Sequence, residues 1–327
     1  MFQRTQQTPS PNRWAEPKWF NSPVSFHTGT LSDIHRYIPT FERRDFAVAR
    51  SSDEHFRMNE RLDTIVRLPF REDHAFVPVG VVSKNYALVP HTAVLDVVMQ
   101  ALDKAKIAAA DVKAEIKITE YGERMALSLY LPDKYSFDPG DGNPMALRLE
   151  CTNSVDGSTR FRALMGWFRL VCSNGLIIGV TQSDVRRRHV GDLILSDVHA
   201  VLTSGISVSE MEKTNFERWR KVEISPDKLA SWVDKELRAG WGFKAAARAF
   251  HIAQHGMDAE IIGQYKDNTP TTIPMRQTNP VPGTPKHCSN LFDVTQVLAW
   301  LAKERRDVQE QLEWREKIPD LTAPLLN

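Results

Sequence analysis

The stretch MALRLECTNSVDGSTRFRALMGWFRLVCSNGL, Met145 to Leu176, decides the fold. Leu147, Leu149 and Cys151 alternate with Arg148 and Glu150, the period of two expected of a strand with one buried face. The strand ends at Asn153-Ser154-Val155-Asp156-Gly157-Ser158. Asn and Asp bond their own downstream backbone and Gly takes positive φ without a Cβ clash, so the chain turns here. Phe161 and Ala163 then fall on one side and Arg160 and Arg162 on the other, and after Gly166 the segment Trp167 to Cys172 is again β-prone. Ser173-Asn174-Gly175 is a second punctuation.

Upstream, Tyr86 to Lys106 reads as a helix. Val94, Leu95, Val98, Met99 and Leu102 make its buried stripe, and Asp96, Gln100 and Lys104 look outward. Two strands follow, Glu115 to Tyr121 and Arg124 to Leu131, linked by Tyr121-Gly122-Glu123 as a hairpin. The segment Pro132 to Pro144 is a loop in which Asp138 and Asp141 are solvated turn formers. Nearer the N-terminus, Phe46 to Ala49, Thr64 to Leu68 and Phe76 to Val82 are short extended pieces, the last an edge strand because Pro78 cannot donate to a ladder. Residues 1–30 are polar and proline-punctuated, which predicts a flexible tail.

Downstream the character is helical. Asp192 to Leu202 is a helix stopped at Gly205, and Ser209 with Glu212 has the capping-box spacing that opens the next. Ser225-Pro226 starts a helix burying Leu229, Trp232, Val233 and Leu237, and Gly242 to His255 is another, closed by Gly256. From Ser289 or Asn290 the residues Leu291, Val294, Leu298, Leu301, Val308 and Leu312 keep a heptad-like spacing. They form either a coiled-coil seam, and so a homo-oligomer, or a helix packed on its own domain. The fold class is therefore α+β, an antiparallel β-meander preceded by a helix and followed by a helical C-terminal half. Its parts are the tail, an α+β core over 31–205, a helical segment over 206–267, a Pro-rich loop over 268–288 and an amphipathic helix with a tail over 289–327. Apart from the tail, one compact unit is expected.

With 327 residues and 42% of them hydrophobic, a sizeable core is available. Lys plus Arg number 42 against 41 for Asp plus Glu, so the chain is no globally basic coat, although local patches remain open. Cys151, Cys172 and Cys288 lie far apart without Cys-x-x-Cys spacing, which argues against structural zinc and a disulfide framework and fits a reducing cytosol. There is no leader-like apolar segment and no run of eighteen apolar residues, so a soluble, cytoplasmic protein without membrane contact is expected.

The pattern Asn153-Ser154-x-Asp156-Gly157-Ser158, then Arg169-x-Val171-Cys172-x-Asn174-x-Leu176, with His189 following, resembles the domain-of-unknown-function family 932 over about residues 40 to 310. The resemblance implies a phage- or plasmid-associated protein and carries no agreed activity. Gly175 stands where the family commonly has Thr, so no role for that hydroxyl carries over.

Several chemistries can be weighed on the residues. His251 and His255 have the spacing of two ligands on one helix face, but Ile252, Ala253 and Gln254 between them lack a catalytic glutamate and no third ligand is obvious, so no metal is expected. Cys172 with His189 is the pair a thiol enzyme would need, yet Cys172 ends an apolar strand, where free cysteine is usually packing. No P-loop or G-x-G-x-x-G string is present, and no cofactor is expected. Basic residues make a stronger signal. Arg186, Arg187 and Arg188 form a compact run beside His189, Arg148, Arg160, Arg162 and Arg169 accompany the sheet, and Lys244 and Arg248 recur on a later helix. Arginines neutralise phosphates and aromatics such as Phe161, Trp167 and Phe168 stack on bases. The leading expectation is a mobile-element protein that binds nucleic acid, single-stranded DNA in a recombination or annealing role, with a merely solvated charge run as the plain alternative. A second is a protein-interaction module that antagonises a host defence or recombination complex. A third is a Cys172/His189 enzyme.

Overall fold

The computed structural model describes residues 17–49, 56–70, 74–169, 174–176, 185–187 and 197–326. Cys172, Arg188 and His189 lie outside these. In chain order the elements are β1 (Lys18–Trp19), β2 (Ser22–Gly29), α1 (Leu31–His35), β3 (Phe41–Ala49), β4 (Phe56–Arg67), β5 (Val77–Ser83) and α2 (His91–Lys104). Then come β6 (Lys113–Thr119), β7 (Arg124–Tyr130), β8 (Ser136–Phe137), β9 (Met145–Ser154), β10 (Phe161–Arg169), β11 (Asn174–Leu176), β12 (Val185–Arg187) and α3 (Asp197–Lys221). The remainder is α4 (Pro226–Trp232), a π-turn over Val233–Leu237, α5 (Arg238–Trp241), α6 (Phe243–His255), β13 (Met257–Ile261), β14 (Met275–Pro280), α7 (Leu291–Lys303) and α8 (Val308–Thr322). The class is α+β with a helical C-terminal half, as the periodicities predict.

The chain divides into two compact units rather than one, Asn21–Glu217 and Met1–Phe20 with Arg218–Asn327. In the first, a large antiparallel sheet has the order β2-β6-β7-β9-β10-β11, with β12 also on β10 and β8 on β9. Its register follows from the alternation. Leu127 pairs with Cys151 and Leu129 with Leu149, while Ala163 pairs with Cys151 and Trp167 with Leu147, so one face is continuously apolar. Helix α2 packs on β9 and α1 on β6. Val94, Leu95, Val98 and Leu102 of α2 are buried, each contributing about 1.5–3 kcal/mol, whereas Met99, expected in the same stripe, lies at its border and is 39% exposed. Phe216 of α3 stacks on Phe137 at 5.8 Å and meets Trp167 edge-on at 6.4 Å.

Three expectations change here. Ser22–Gly29, assigned to the tail, is a strand paired along β6, because its backbone completes a ladder that the polar side chains do not announce. Gly205 does not stop a helix, since α3 runs through it; a Cβ there would lie 2.4 Å from the Met165 sulfur, so the glycine permits close helix–sheet approach. Ser209 and Glu212 are consequently inside α3 and cap nothing, Ser209 Oγ donating to the Ile206 carbonyl at 2.7 Å.

A separate three-stranded sheet, β3-β4-β5, has the Pro78-containing strand at its edge as expected. Ile65 and Val82 from it pack with Tyr86 and Val155 in one cluster.

In the second unit Ser225 caps α4 through its Oγ, which accepts from Lys228 N at 3.2 Å, and Gly256 closes α6 in the left-handed conformation. The segment expected to be a Pro-rich loop contains β14, paired antiparallel with β13. The heptad-like run is two helices, because the chain leaves helical geometry before Asp307, whose carboxylate caps α8 by accepting from Gln309 N at 2.9 Å. Leu298, Leu301, Val308 and Leu312 are buried within this unit and so form no exposed seam.

Candidate functional site

The turn between β9 and β10 is a node of buried hydrogen bonds. Asn153 is fully buried; its Nδ2 donates to the Val89 carbonyl and to His91 Nδ1, both at 2.9 Å. His91, also fully buried, donates from Nε2 to the Gly122 carbonyl at 2.8 Å, so the network fixes one imidazole tautomer. The Tyr86 hydroxyl donates to the Ser154 carbonyl at 3.1 Å; burial raises its pKa, and the nearby Asp156 charge adds to this. Asp156 Oδ1 accepts from Ser158 N at 2.9 Å and from Ser158 Oγ at 2.6 Å, and Asp156 Oδ2 pairs with Arg124 Nη2 at 2.7 Å. Asp156 is thus a turn former and an ion-pair partner together. A Cβ on Gly80 of β5 would fall 2.8 Å from the Asp156 backbone, which explains why no larger side chain stands there. Together Asn153, Ser154, Asp156, Gly157 and Ser158 tie the small sheet, the start of α2 and the β6–β7 turn to one point.

The polar face of the large sheet holds the arginines in a different arrangement from a simple basic stripe. Arg148 is buried and pairs with Glu150 at 2.9 Å, with its guanidinium 4.6 Å over the Phe168 ring. Burial works against its charge, but Glu150 and Tyr130 more than offset this and its pKa is raised. Tyr130 donates to Glu115 Oε2 at 2.8 Å. Arg162 is in register with Thr152 on one side and with Arg186 on the other. Arg187 is opposite Phe161, out of phase with Arg186. Arg169 does not join this face. It is in register with Met145, is 1% exposed, and pairs with Asp141, whose carboxylate is therefore a buried cation's partner as well as part of the loop. Arg160 is exposed in the turn, Lys244 is exposed on α6, and Arg248 pairs with buried Asp258 at 2.7 Å. The last two belong to the other unit. On the large sheet the same face carries Phe26, 39% exposed, with Lys113 and Lys117.

Comparison with known proteins is decided by one match: the family described as Domain of unknown function (DUF932) covers residues 78–279. The chain belongs to the DUF932 family. It is also 45% identical over 42 residues to UPF0380 protein YfjQ of Escherichia coli (strain K12), a stretch that is 13% of this chain and 15% of that protein. The chain thus aligns with only a small part of that curated relative. No solved structure matches significantly.

The DUF932 span runs from within β5 to within β14 and contains the whole Asn153–Ser158 node. Of the second family block, Asn174 is in register with Arg169, whereas Cys172 and His189 lie outside the described residues. The two described cysteines are no nucleophiles: burial, and then the Glu150 charge, push the Cys151 thiol up to about 12, and burial raises Cys288 likewise. His251 and His255 have ring centroids 4.4 Å apart, and burial followed by His255 holds His251 below its ordinary value. Among the described residues no group of three or more His, Cys, Asp or Glu could hold a metal, and no helix is long and apolar enough to cross a membrane. Tyr86, His91 and Arg124 carry no local signal in the sequence. Their partners lie 31 to 68 positions away, so only the fold brings them together.

Proposed function

We propose that the protein binds single-stranded nucleic acid on the polar face of its large sheet, in a recombination or annealing role. The observation that supports this is that exposed Phe26 is in register with Lys117 and shares its sheet face with exposed Lys113, whereas Arg162 on the same face is buried. Lysine ammonium groups neutralise phosphates and an exposed aromatic ring stacks on a base, the two contacts that hold a single strand without sequence readout. The part nearest solvent is at β2 and β6, where Phe26 and Lys113 are exposed and Lys117 half-buried. Arg148, Arg169 and Arg248 are engaged by carboxylates and drop out of the contact set. The setting we infer is the cytoplasm of a cell carrying a phage or plasmid, from the resemblance stated above.

The test is fluorescence anisotropy of the full chain with labelled oligothymidylate and with duplex DNA across a salt series. Two multiple variants accompany it, Lys113→Glu/Lys117→Glu and Arg186→Ala/Arg187→Ala/Arg188→Ala. Each phosphate contact contributes a slope of about −0.7 in log affinity against log salt for a single strand, so both variants should flatten the plot by about one unit or more. Lys244→Ala should leave it unchanged. No binding at low salt, or equal loss in all three variants, sinks the reading.

A second reading, a protein-interaction module that antagonises a host complex, is favoured by one feature. Val48, Phe56 and Met58 on the β3–β4 hairpin are 56%, 70% and 58% exposed, an apolar surface that a folded protein rarely leaves open.

A further inference from the structure

A cavity of about 520 Å³ lies beside the β6–β7 turn, lined by His27, Tyr37, Arg67, Phe70, Tyr121 and Gly122 among others. His27 is in register with Ile116 and Ser25 with Ile118, so it opens on the apolar side of the sheet, away from Lys117. Its size falls within the range of roughly 300–1,000 Å³ typical of small-ligand sites. Three features define what would fit. Arg67, 4% exposed, is among the residues that line the cavity, and a guanidinium presents a planar fork that matches a phosphate. The His27 and Tyr37 rings are already stacked, centroids 3.6 Å apart and planes 10° from parallel, which makes a rigid flat wall. Tyr121 stands at the rim, 47% exposed, and Glu120 beside it is exposed and offers an acceptor to a hydroxyl or amino group.

The wall is also preorganised. Gly122 lines the cavity, and its carbonyl is the one held by His91, which Asn153 holds in turn. Thr119, 2% exposed, is anchored next to it by accepting from Arg124 N at 3.0 Å. The family motif thus supports a binding wall as well as a turn.

We propose that this cavity binds a nucleoside monophosphate unit, free or at the end of a strand, with Arg67 on the phosphate and the aromatic residues against the base. The site is separate from the sheet face and stands whether or not that face binds nucleic acid. Isothermal titration calorimetry of the full chain with adenosine monophosphate, adenosine and inorganic phosphate, each alone, tests it. Adenosine monophosphate should bind at least about tenfold more tightly than either fragment, the margin of one charge-assisted contact added to stacking. Arg67→Gln should weaken it about tenfold or more and Tyr121→Ala several-fold. Arg67 is buried, so circular dichroism checks that variant's fold, and Tyr121→Ala at the exposed rim carries the test if it misfolds. Decathymidylate with and without a 5′-phosphate separates the sources: a preference for the phosphorylated strand that Tyr121→Ala removes assigns a strand end, and its absence assigns the free nucleotide. Lys113→Glu/Lys117→Glu should keep adenosine monophosphate binding intact. No heat with adenosine monophosphate, or unchanged affinity in both cavity variants, overturns the proposal.

Discussion

Asn153→Ala removes a donor that serves two buried acceptors at once, the Val89 carbonyl and His91 Nδ1, each 2.9 Å away. Neither acceptor is reached by bulk water, because Asn153 and His91 are 0% exposed and Val89 is buried. An orphaned buried polar group costs about 1–3 kcal/mol, so the pair predicts a loss of about 2–6 kcal/mol, a large share of the ~5–15 kcal/mol of a typical domain. Urea unfolding followed by fluorescence should show a lower midpoint with an unchanged m-value, which separates lost stability from a changed unfolded state. Nitrogen-15 spectra of the imidazole provide the second readout. Wild-type His91 should show a single Nε2–H tautomer, and the variant a mixture, because Nδ1 loses the amide that holds it as an acceptor. Arg160→Ala is the control. It changes an exposed residue of the same turn and should cost less than about 0.5 kcal/mol. If Asn153→Ala costs no more than that control, or the tautomer is unaltered, the node is not what holds the turn and the reasoning fails.

Glu212 is 3% exposed in α3, and burial raises its carboxyl above the ordinary value of 4.5 despite a hydrogen bond from Asn215. The folded state therefore holds this proton to higher pH than the unfolded chain, and stability falls as pH rises from 4.5 through the folded value; Glu212→Gln should raise the thermal midpoint at pH 7 and change it little at pH 4. Gly205→Ala puts a Cβ 2.4 Å from the Met165 sulfur and 2.9 Å from its Cβ, so overpacking should lower stability by about 1–3 kcal/mol, against the gain normally expected of Ala in a helix. A midpoint at or above wild type would show that Met165 moves aside freely.

Local pattern made much of the fold legible. The alternation of β7, β9 and β10, the stripe of α2, the Ser225-Pro226 start of α4 and the Gly256 end of α6 all depend on neighbours within a turn or a strand. Where a local rule met a tertiary demand, the demand won. Gly205 has the form of a helix stop, but continuing α3 brings that helix close against Met165. Ser22–Gly29 contains a proline and little apolar content, but the open edge of β6 pairs with it.

The candidate site divides in the same way. The Asn153–Ser158 turn could be read directly from residues with intrinsic turn chemistry. The bonding of Arg148, Arg169 and Arg248 could not, because a sequence shows that a charge exists and not whether a carboxylate meets it. Sequence by itself determined the α+β class, the central antiparallel strands and the family, since these rest on periodicity and on motifs contiguous in the chain. Only the tertiary structure decided which face each arginine takes, that His91 and Asn153 meet across 62 positions, and that Arg67, Tyr37 and His27 enclose one cavity. Those are long-range pairings, and they exist only once the strands are in register and the helices have closed over the apolar face.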